Sequence, residues 1–215
     1  MFQIKTFIFN PIRVNTYILY DETKEAAIVD CGAYSDKEKQ RLHDFITENS
    51  LTVKLVLNTH LHFDHILGNQ FLFNTFGLKP MYGEADEKMP GLGSGGMFLP
   101  IKTTHVYAEK YICDGDEIRF GNSILKALAT PGHSPGSISF YSEENNCVFT
   151  GDALFHHSIG RTDLWEGNFT ELVNSIKTRL LTLPDRTAVF PGHEEQTSIY
   201  EEKQGNPYLQ TVTIQ

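Results

Sequence analysis

A chain of 215 residues with 40% hydrophobic and 21% charged residues can bury a real core, and this composition excludes a disordered chain. Its formal net charge of -9, with no run of lysine or arginine, argues against a phosphate-backbone binder and an anionic membrane surface, so neither nucleic acid nor membrane is expected as a partner. The opening MFQIKTFIFNPIRVNTYILY lacks a basic start and an uninterrupted apolar stretch, and no run approaches ~18 apolar residues, which predicts a cytoplasmic protein.

FQIKTFIF, VNTYILY and EAAIVDCG alternate or run apolar with β-branched and aromatic residues, and Asn10-Pro11 and Asp21-Glu22 punctuate them; they predict an antiparallel meander. Ser35 followed by Glu38 forms a capping box, and Leu42, Phe45 and Ile46 recur at helical spacing, predicting an amphipathic helix over residues 36 to 49 with His43 at its polar boundary. VKLVLNT reads as a buried strand. A helix then begins near Asp64, carries Ile66, Leu67, Phe71, Leu72 and Phe76 on its apolar side, and stops at Gly77. Met89 to Thr104 contains four glycines and two prolines and reads as a long surface loop. It is either an apolar flap carrying Met97 and Phe98 over a site or a loop without function.

DEIRF, SILKALAT, GSISFYS and CVFTGD predict four strands in succession, Asn168 with Glu171 opens a helix through Leu180, and AVFPGH is a last strand and turn. Strands, helix, strand and helix thus occur twice. That order predicts an α/β (α+β) protein of two similar halves facing each other as a four-layer αββα sandwich, one domain over 1–215.

Chemistry concentrates at the ends of strands. The segment Thr59-His60-Leu61-His62-Phe63-Asp64-His65 places three imidazoles and a carboxylate within six residues, where a buried strand gives way to a helix. In extended chain His60 and His62 point to the same side and can reach one ion, while Asp64 and His65 turn toward a second. Asp64 also has a purely structural alternative as a helix N-cap. Five of the nine histidines lie in THLHFDH, TPGHS and FPGHE, each phrase delivering a side chain to the mouth above a sheet. FTGDALF adds Asp152 in the same setting. Singly, His133 or His193 reads as a turn residue; beside the first cluster both read as metal ligands. Imidazole and carboxylate suit zinc or a related divalent ion, with iron or manganese able to replace it, and Asp152 is the natural bridge between two ions. Cys31, Cys113 and Cys147 lack C-x-x-C spacing and read as small hydrophobes.

These residues resemble the metallo-β-lactamase fold superfamily, whose H-x-H-x-D-H signature stands here in full, followed by a distant His, Asp and His. Within it the chain looks like the glyoxalase II (hydroxyacylglutathione hydrolase-like) branch, through VNTYIL, VDCG, TPGHSPGSISFY, GDALFHHSIGRTDL, FPGHEEQTSI and NPYL. The resemblance implies a first metal on His60, His62, His133 and Asp152, and a second on Asp64, His65, His193 and Asp152. It implies a thioesterase in which a hydroxide bridging two zinc ions attacks the substrate, with Asp64 catalytic in orienting the attacking oxygen. Longer members carry a C-terminal glutathione-binding helical extension, which is not expected here. Glu194 and Trp165 stand where relatives usually have Gly and Pro. By the resemblance, Arg161 falls where relatives contact the thiol part of the substrate; its alternative is an ion pair with Asp163. His156 and His157 follow Asp152 closely enough to line the rim of the site, or to be ordinary surface residues.

The implied substrate is a small acyl thioester or related ester; the sequence leaves the thiol carrier and the oligomeric state open. Three other readings compete. A persulfide dioxygenase-type oxidoreductase would keep a single iron on two His and one Asp. A β-lactamase would place Cys or Ser at the position of Asp152. A structural metal clamp would be closed by four protein ligands, commonly including Cys.

Overall fold

In the computed structural model, which describes residues 1–92 and 104–210, the chain begins with the predicted antiparallel meander of β1 (Gln3–Phe9), β2 (Val14–Tyr20) and β3 (Glu25–Val29). Helix α1 (Asp36–Glu48) carries the chain over to β4 (Thr52–Leu57), which pairs parallel to β3. Both arms of the capping box form: Ser35 accepts from the Glu38 amide, and the Glu38 carboxylate accepts from the Ser35 amide. Buried Leu42 and Ile46 turn α1 onto the sheet. Two short strands, β5 (Pro80–Tyr82) and β6 (Lys110–Tyr111), complete a six-stranded sheet in the order β1-β2-β3-β4-β5-β6.

The second sheet is built from β7 (Glu117–Phe120), β8 (Ser123–Ala129), β9 (Ile138–Ser142), β10 (Cys147–Gly151), β13 (Ala188–Pro191) and β14 (Thr197–Ser198). Its order is β14-β13-β10-β9-β8-β7. A separate hairpin of β11 (Leu154–Phe155) and β12 (Ser158–Ile159) follows β10. The predicted 168–180 helix is present as α4 (Phe169–Ser175) continued by a π-helical turn over Ile176–Leu180, and α5 (Ile199–Gly205) follows β14.

Three apolar layers explain the sandwich. Tyr17, Leu19, Ala27, Val29 and Leu57 of the first sheet meet Phe120, Leu125, Phe140 and Phe149 of the second. On the outer face of the first sheet, Ile18, Ile28 and Val56 pack against Leu42, Ile46 and Leu72. On the outer face of the second, Val148 and Val189 pack against Leu172, Ile176 and Ile199. Strands buried on both faces therefore read as near-continuous apolar runs, and each large side chain so buried contributes roughly 1.5–3 kcal/mol. The expected αββα architecture is the one found.

The continuous helix predicted from Asp64 to Phe76 is instead two helices, α2 (Phe63–Ile66) and α3 (Asn69–Phe76). Gly68 sits between them with its amide donating to the Cys31 carbonyl at 2.7 Å, and a Cβ there would overlap the Cys31 sulfur. The chain bends to accept that contact. Gly77 ends α3 in the left-handed region, φ 71°, as its position predicts. The flap reading for Met97 and Phe98 falls outside the described residues.

Candidate metal centre

All seven side chains singled out in the sequence converge at one end of the sandwich. His60 and His62 leave the end of β4 in extended chain, their rings 4.7 Å apart, and both face His133, which arrives from the loop after β8 at 4.8 and 4.5 Å. Asp64 and His65 lie on the single turn of α2. There Asp64 Oδ2 stands 3.2 Å from Nε2 of His193, from the loop after β13. Asp64 caps no helix: the N-cap position belongs to His62, with no side-chain cap bond. The donor atoms of His60, His62 and His133 form one cluster within 4.8 Å, and those of Asp64, His65 and His193 form a second.

Asp152, one residue beyond β10, lies between the two clusters. Its Oδ2 is 3.5 Å from His133 Nε2 and 3.6 Å from His193 Nε2, while Oδ1 is 3.3 Å from His65 Nε2. Gly192 makes room for this approach, since a Cβ at that position would overlap Asp152 Oδ1 and come 2.6 Å from His65 Cε1. The Pro-Gly preceding His193 is thus a packing requirement as well as a turn.

Outer partners fix which nitrogen of each ring is free. The Asp30 carboxylate accepts from the Thr59 amide at 2.8 Å, from Thr59 Oγ1 at 2.6 Å and from His65 Nδ1 at 2.9 Å. Because the Thr59 hydroxyl donates to Asp30, it accepts from His60 Nδ1 at 3.0 Å. His133 Nδ1 donates to the Arg161 carbonyl at 2.8 Å. In His60, His65 and His133 the Nε2 lone pair is therefore the one presented to the centre. His60 Nε2, His65 Nε2 and Asp152 Oδ1 are buried and have no hydrogen-bond partner. Buried acceptors without partners are costly, and three at one point of the fold form a donor set that fits divalent cations.

Electrostatics divide the set. Burial and the neighbouring His65 and His62 hold His60 well below the usual imidazole range, and burial with His133 brings His62 down to about 3. Burial opposes ionisation of Asp152 and Asp64, yet the imidazoles beside them outweigh it; both stay below the ordinary carboxylate range, Asp152 strongly so. Burial likewise disfavours a charged His65, but Asp152, Asp64 and Asp30 outweigh it and raise the ring well above its ordinary value. Neutral imidazoles and ionised carboxylates are the forms that bind cations, so His60, His62, Asp64 and Asp152 stand ready, whereas His65 binds one only by releasing its proton.

Several supporting residues carried no sequence signal that named them. Asp86, fully buried, accepts from the Leu61 amide at 3.0 Å, Ser134 Oγ at 2.9 Å and the Gly136 amide at 2.6 Å, tying the His60–His62 segment to the His133 loop. Asn10 donates to the Asp64 carbonyl at 3.1 Å, and Asn15 donates to the carbonyls of Pro191 at 3.0 Å and Glu194 at 2.9 Å. Asp30 and Asn15 do lie in the quoted phrases VDCG and VNTYIL; Asp86 lies in none.

The three rim residues behave differently. The exposed Arg161 guanidinium is held bidentately by Asp163, at 2.7 and 2.8 Å, so its side chain is occupied while its carbonyl serves His133. His156 Nδ1 bonds Glu195 at 2.9 Å, and His157 lies against α5, with a Cβ on Gly205 coming 2.8 Å from its Nδ1. Glu194, at the position where the sequence pattern favours Gly, adopts φ 65°, the left-handed conformation that glycine takes without strain. Nothing in the structure explains Trp165 in place of Pro.

With this fold and this centre in view, the chain belongs to the metallo-beta-lactamase superfamily, whose family model matches residues 10–193. It is 37% identical over 208 residues to "Probable metallo-hydrolase YqgX" of Bacillus subtilis, covering 95% of this chain and 96% of the relative. It is 34% identical over 207 residues to "Hydroxyacylglutathione hydrolase GloC" of Haemophilus influenzae, covering 91% and 92%. Among solved structures, BLEG-1 B3 metallo-beta-lactamase is 35% identical with a TM-score of 0.85, covering 97% of this chain and 100% of that one. TTHA1623 in a di-iron-bound form is 30% identical with a TM-score of 0.83, covering 95% and 100%. The family and the His/Asp clusters imply a metal-dependent hydrolase using divalent ions.

Proposed function

We propose that this chain is a binuclear thioesterase of the glyoxalase II type, hydrolysing small acyl thioesters with two zinc ions. His60, His62 and His133 would hold one ion; Asp64, His65 and His193 would hold the other; Asp152 would be shared. The observation that carries this reading is the Asp152 carboxylate lying between two imidazole-rich clusters with Oδ1 unpartnered. These residues would hold divalent ions whose chemistry would be to lower the pKa of a bound water toward neutrality and to polarise a carbonyl.

The chain's own residues supply the rest. Asp64 is kept ionised by His65 and His193, so its carboxylate can accept a hydrogen bond from the attacking water and orient it toward the acyl carbon. Asp30 and the Arg161 carbonyl hold His65 and His133 so that the free lone pairs do not wander. A thiol leaving group has a pKa of about 8.5 and departs as thiolate without a proton donor, which favours a thioester over an amide. A substrate carboxylate reaching Arg161 must displace Asp163 from it.

Likeness to the GloC hydrolase supports the thioester reading; likeness to a structure named as a B3 metallo-beta-lactamase brings in β-lactam cleavage as a second reading, against which Asp152 stands where that reading expects Cys or Ser. The test is a panel of glutathione thioesters, coenzyme A thioesters and a chromogenic β-lactam, run with metal analysis of the same preparation. About two zinc per chain with thioester turnover is the expected result. One iron per chain with oxygen uptake on a persulfide would replace it by the dioxygenase reading; turnover confined to the lactam would replace it by the second.

A further inference from the structure

The tip of the β11–β12 hairpin carries a second, unrelated grouping of metal-ligating atoms. Leu154 pairs with Ile159 and Phe155 with Ser158, so His156 and His157 are the two turn residues themselves. Their rings lie 4.2 Å apart, and one donor atom from each, together with a Glu202 oxygen, falls within 4.8 Å. Glu195 adds a second carboxylate at 2.9 Å from His156 Nδ1.

Two features of this tip lack an explanation in packing alone. Glu202 is fully buried, and its carboxylate is met only by dipoles: the His157 amide at 3.1 and 3.0 Å, Thr197 Oγ1 at 2.7 Å and Asn206 Nδ2 at 2.7 Å. Among the described residues no lysine or arginine forms an ion pair with it; the nearest basic nitrogen is His157 Nδ1 at 3.9 Å. A buried carboxylate without a cation is an unbalanced charge. His157 has φ 53°, a left-handed turn position that Gly or Asn fills with less strain, and its imidazole is accommodated against α5 because residue 205 is glycine.

We propose that His156, His157 and Glu202 form a peripheral site for one borderline divalent cation of the Zn2+, Ni2+ or Cu2+ type, with Glu195 at its rim. Two imidazoles and a carboxylate are the donor set such ions favour over Mg2+ or Ca2+. With the imidazole side chains 33% and 47% exposed, the ion keeps water ligands and exchanges with solvent. Its binding ties the hairpin that follows Asp152 to α5 and to the segment after His193.

The site is tested on the full-length protein with its native metals, using Ni2+ as probe and equilibrium dialysis as readout. Wild type is compared with His156→Gln and with His157→Asn, the latter chosen because Asn tolerates the left-handed turn. The expected result is one more Ni2+ per chain in wild type than in either variant, and a Ni2+-dependent rise in melting temperature that both variants lose. Equal Ni2+ stoichiometry in the three proteins would overturn the proposal, as would retention of the extra ion by both variants. Because the readout is a difference between proteins, it does not depend on how many ions the main centre holds.

Discussion

The two halves of the sandwich furnish the centre in opposite ways. The N-terminal half supplies four of the proposed ligands from one segment, His60 to His65, at the end of β4. The C-terminal half supplies His133, Asp152 and His193 singly, after β8, β10 and β13. A concentrated segment has to be held rigid as a unit, which Asp30 and Asp86 do through six hydrogen-bonded groups of that segment and its neighbours. Dispersed side chains are instead placed singly by the ends of sheet strands, each with its own support, such as the room Gly192 gives Asp152 and the carbonyl Arg161 gives His133. Damage to the first half should therefore propagate, and damage to the second should remain at the altered position.

The largest effect is expected at the residue both clusters share. Asp152→Ala should lower kcat/KM on the order of 10³-fold or more and reduce the metal retained after gel filtration; a variant with full metal content would break the contrast at its centre. Asp86→Ala strips an acceptor from the Leu61 amide, the Gly136 amide and Ser134 Oγ. It should cost about 3 kcal/mol in urea unfolding, with the loss shared by the His60 and His133 segments in hydrogen exchange. Asp30→Asn should weaken metal affinity roughly 10- to 100-fold in chelator competition while leaving the fold intact.

Two smaller effects sharpen the picture of the second half. Glu194→Gly relieves a left-handed residue, a gain of roughly 1–2 kcal/mol, against an unfolded-state entropy penalty of about 0.4–1 kcal/mol. A net stabilisation of about 0.5 kcal/mol, read as a rise of one or two degrees in melting temperature, is expected. The smallest effect concerns Asp163, which its bond from Arg161 brings down to about 2. A depressed carboxylate contributes stability above its unfolded value and loses it as pH falls through the folded one. Loss of the pair should thus centre near pH 2, followed by the Asp163 carboxyl chemical shift, and Arg161→Met should return that midpoint toward the ordinary aspartate range.

The sequence was most informative where periodicity ran long or chemistry was dense. The meander, α1 with its capping box and the strands from β7 to β10 were legible because four or more alternating or apolar residues define a face. β5, β6, β11, β12 and β14 span only two or three residues each, too few to show a period. The break at Gly68 was hidden because its cause is Cys31, 37 positions away in the chain and met only after folding. The seven proposed ligands could be named since imidazole density, Pro-Gly turns and, for Asp152, a glycine at a strand end mark them locally. Asp86 could not, because its three donors come from positions 61, 134 and 136, and no local pattern records such a meeting.

The start of β2 bears on the order of assembly. Asn15 reaches carbonyls 176 and 179 residues further along, so the outer wall beside His193 closes only once nearly the whole chain exists. Contacts of such long range bear the largest loop-closure entropy and form late. During synthesis, the early strands and the imidazole-rich turn can be in place while His193 has still to be made. The His193 cluster, and with it the neighbourhood that Asp152 shares between both clusters, is therefore completed only once the chain beyond β13 is made.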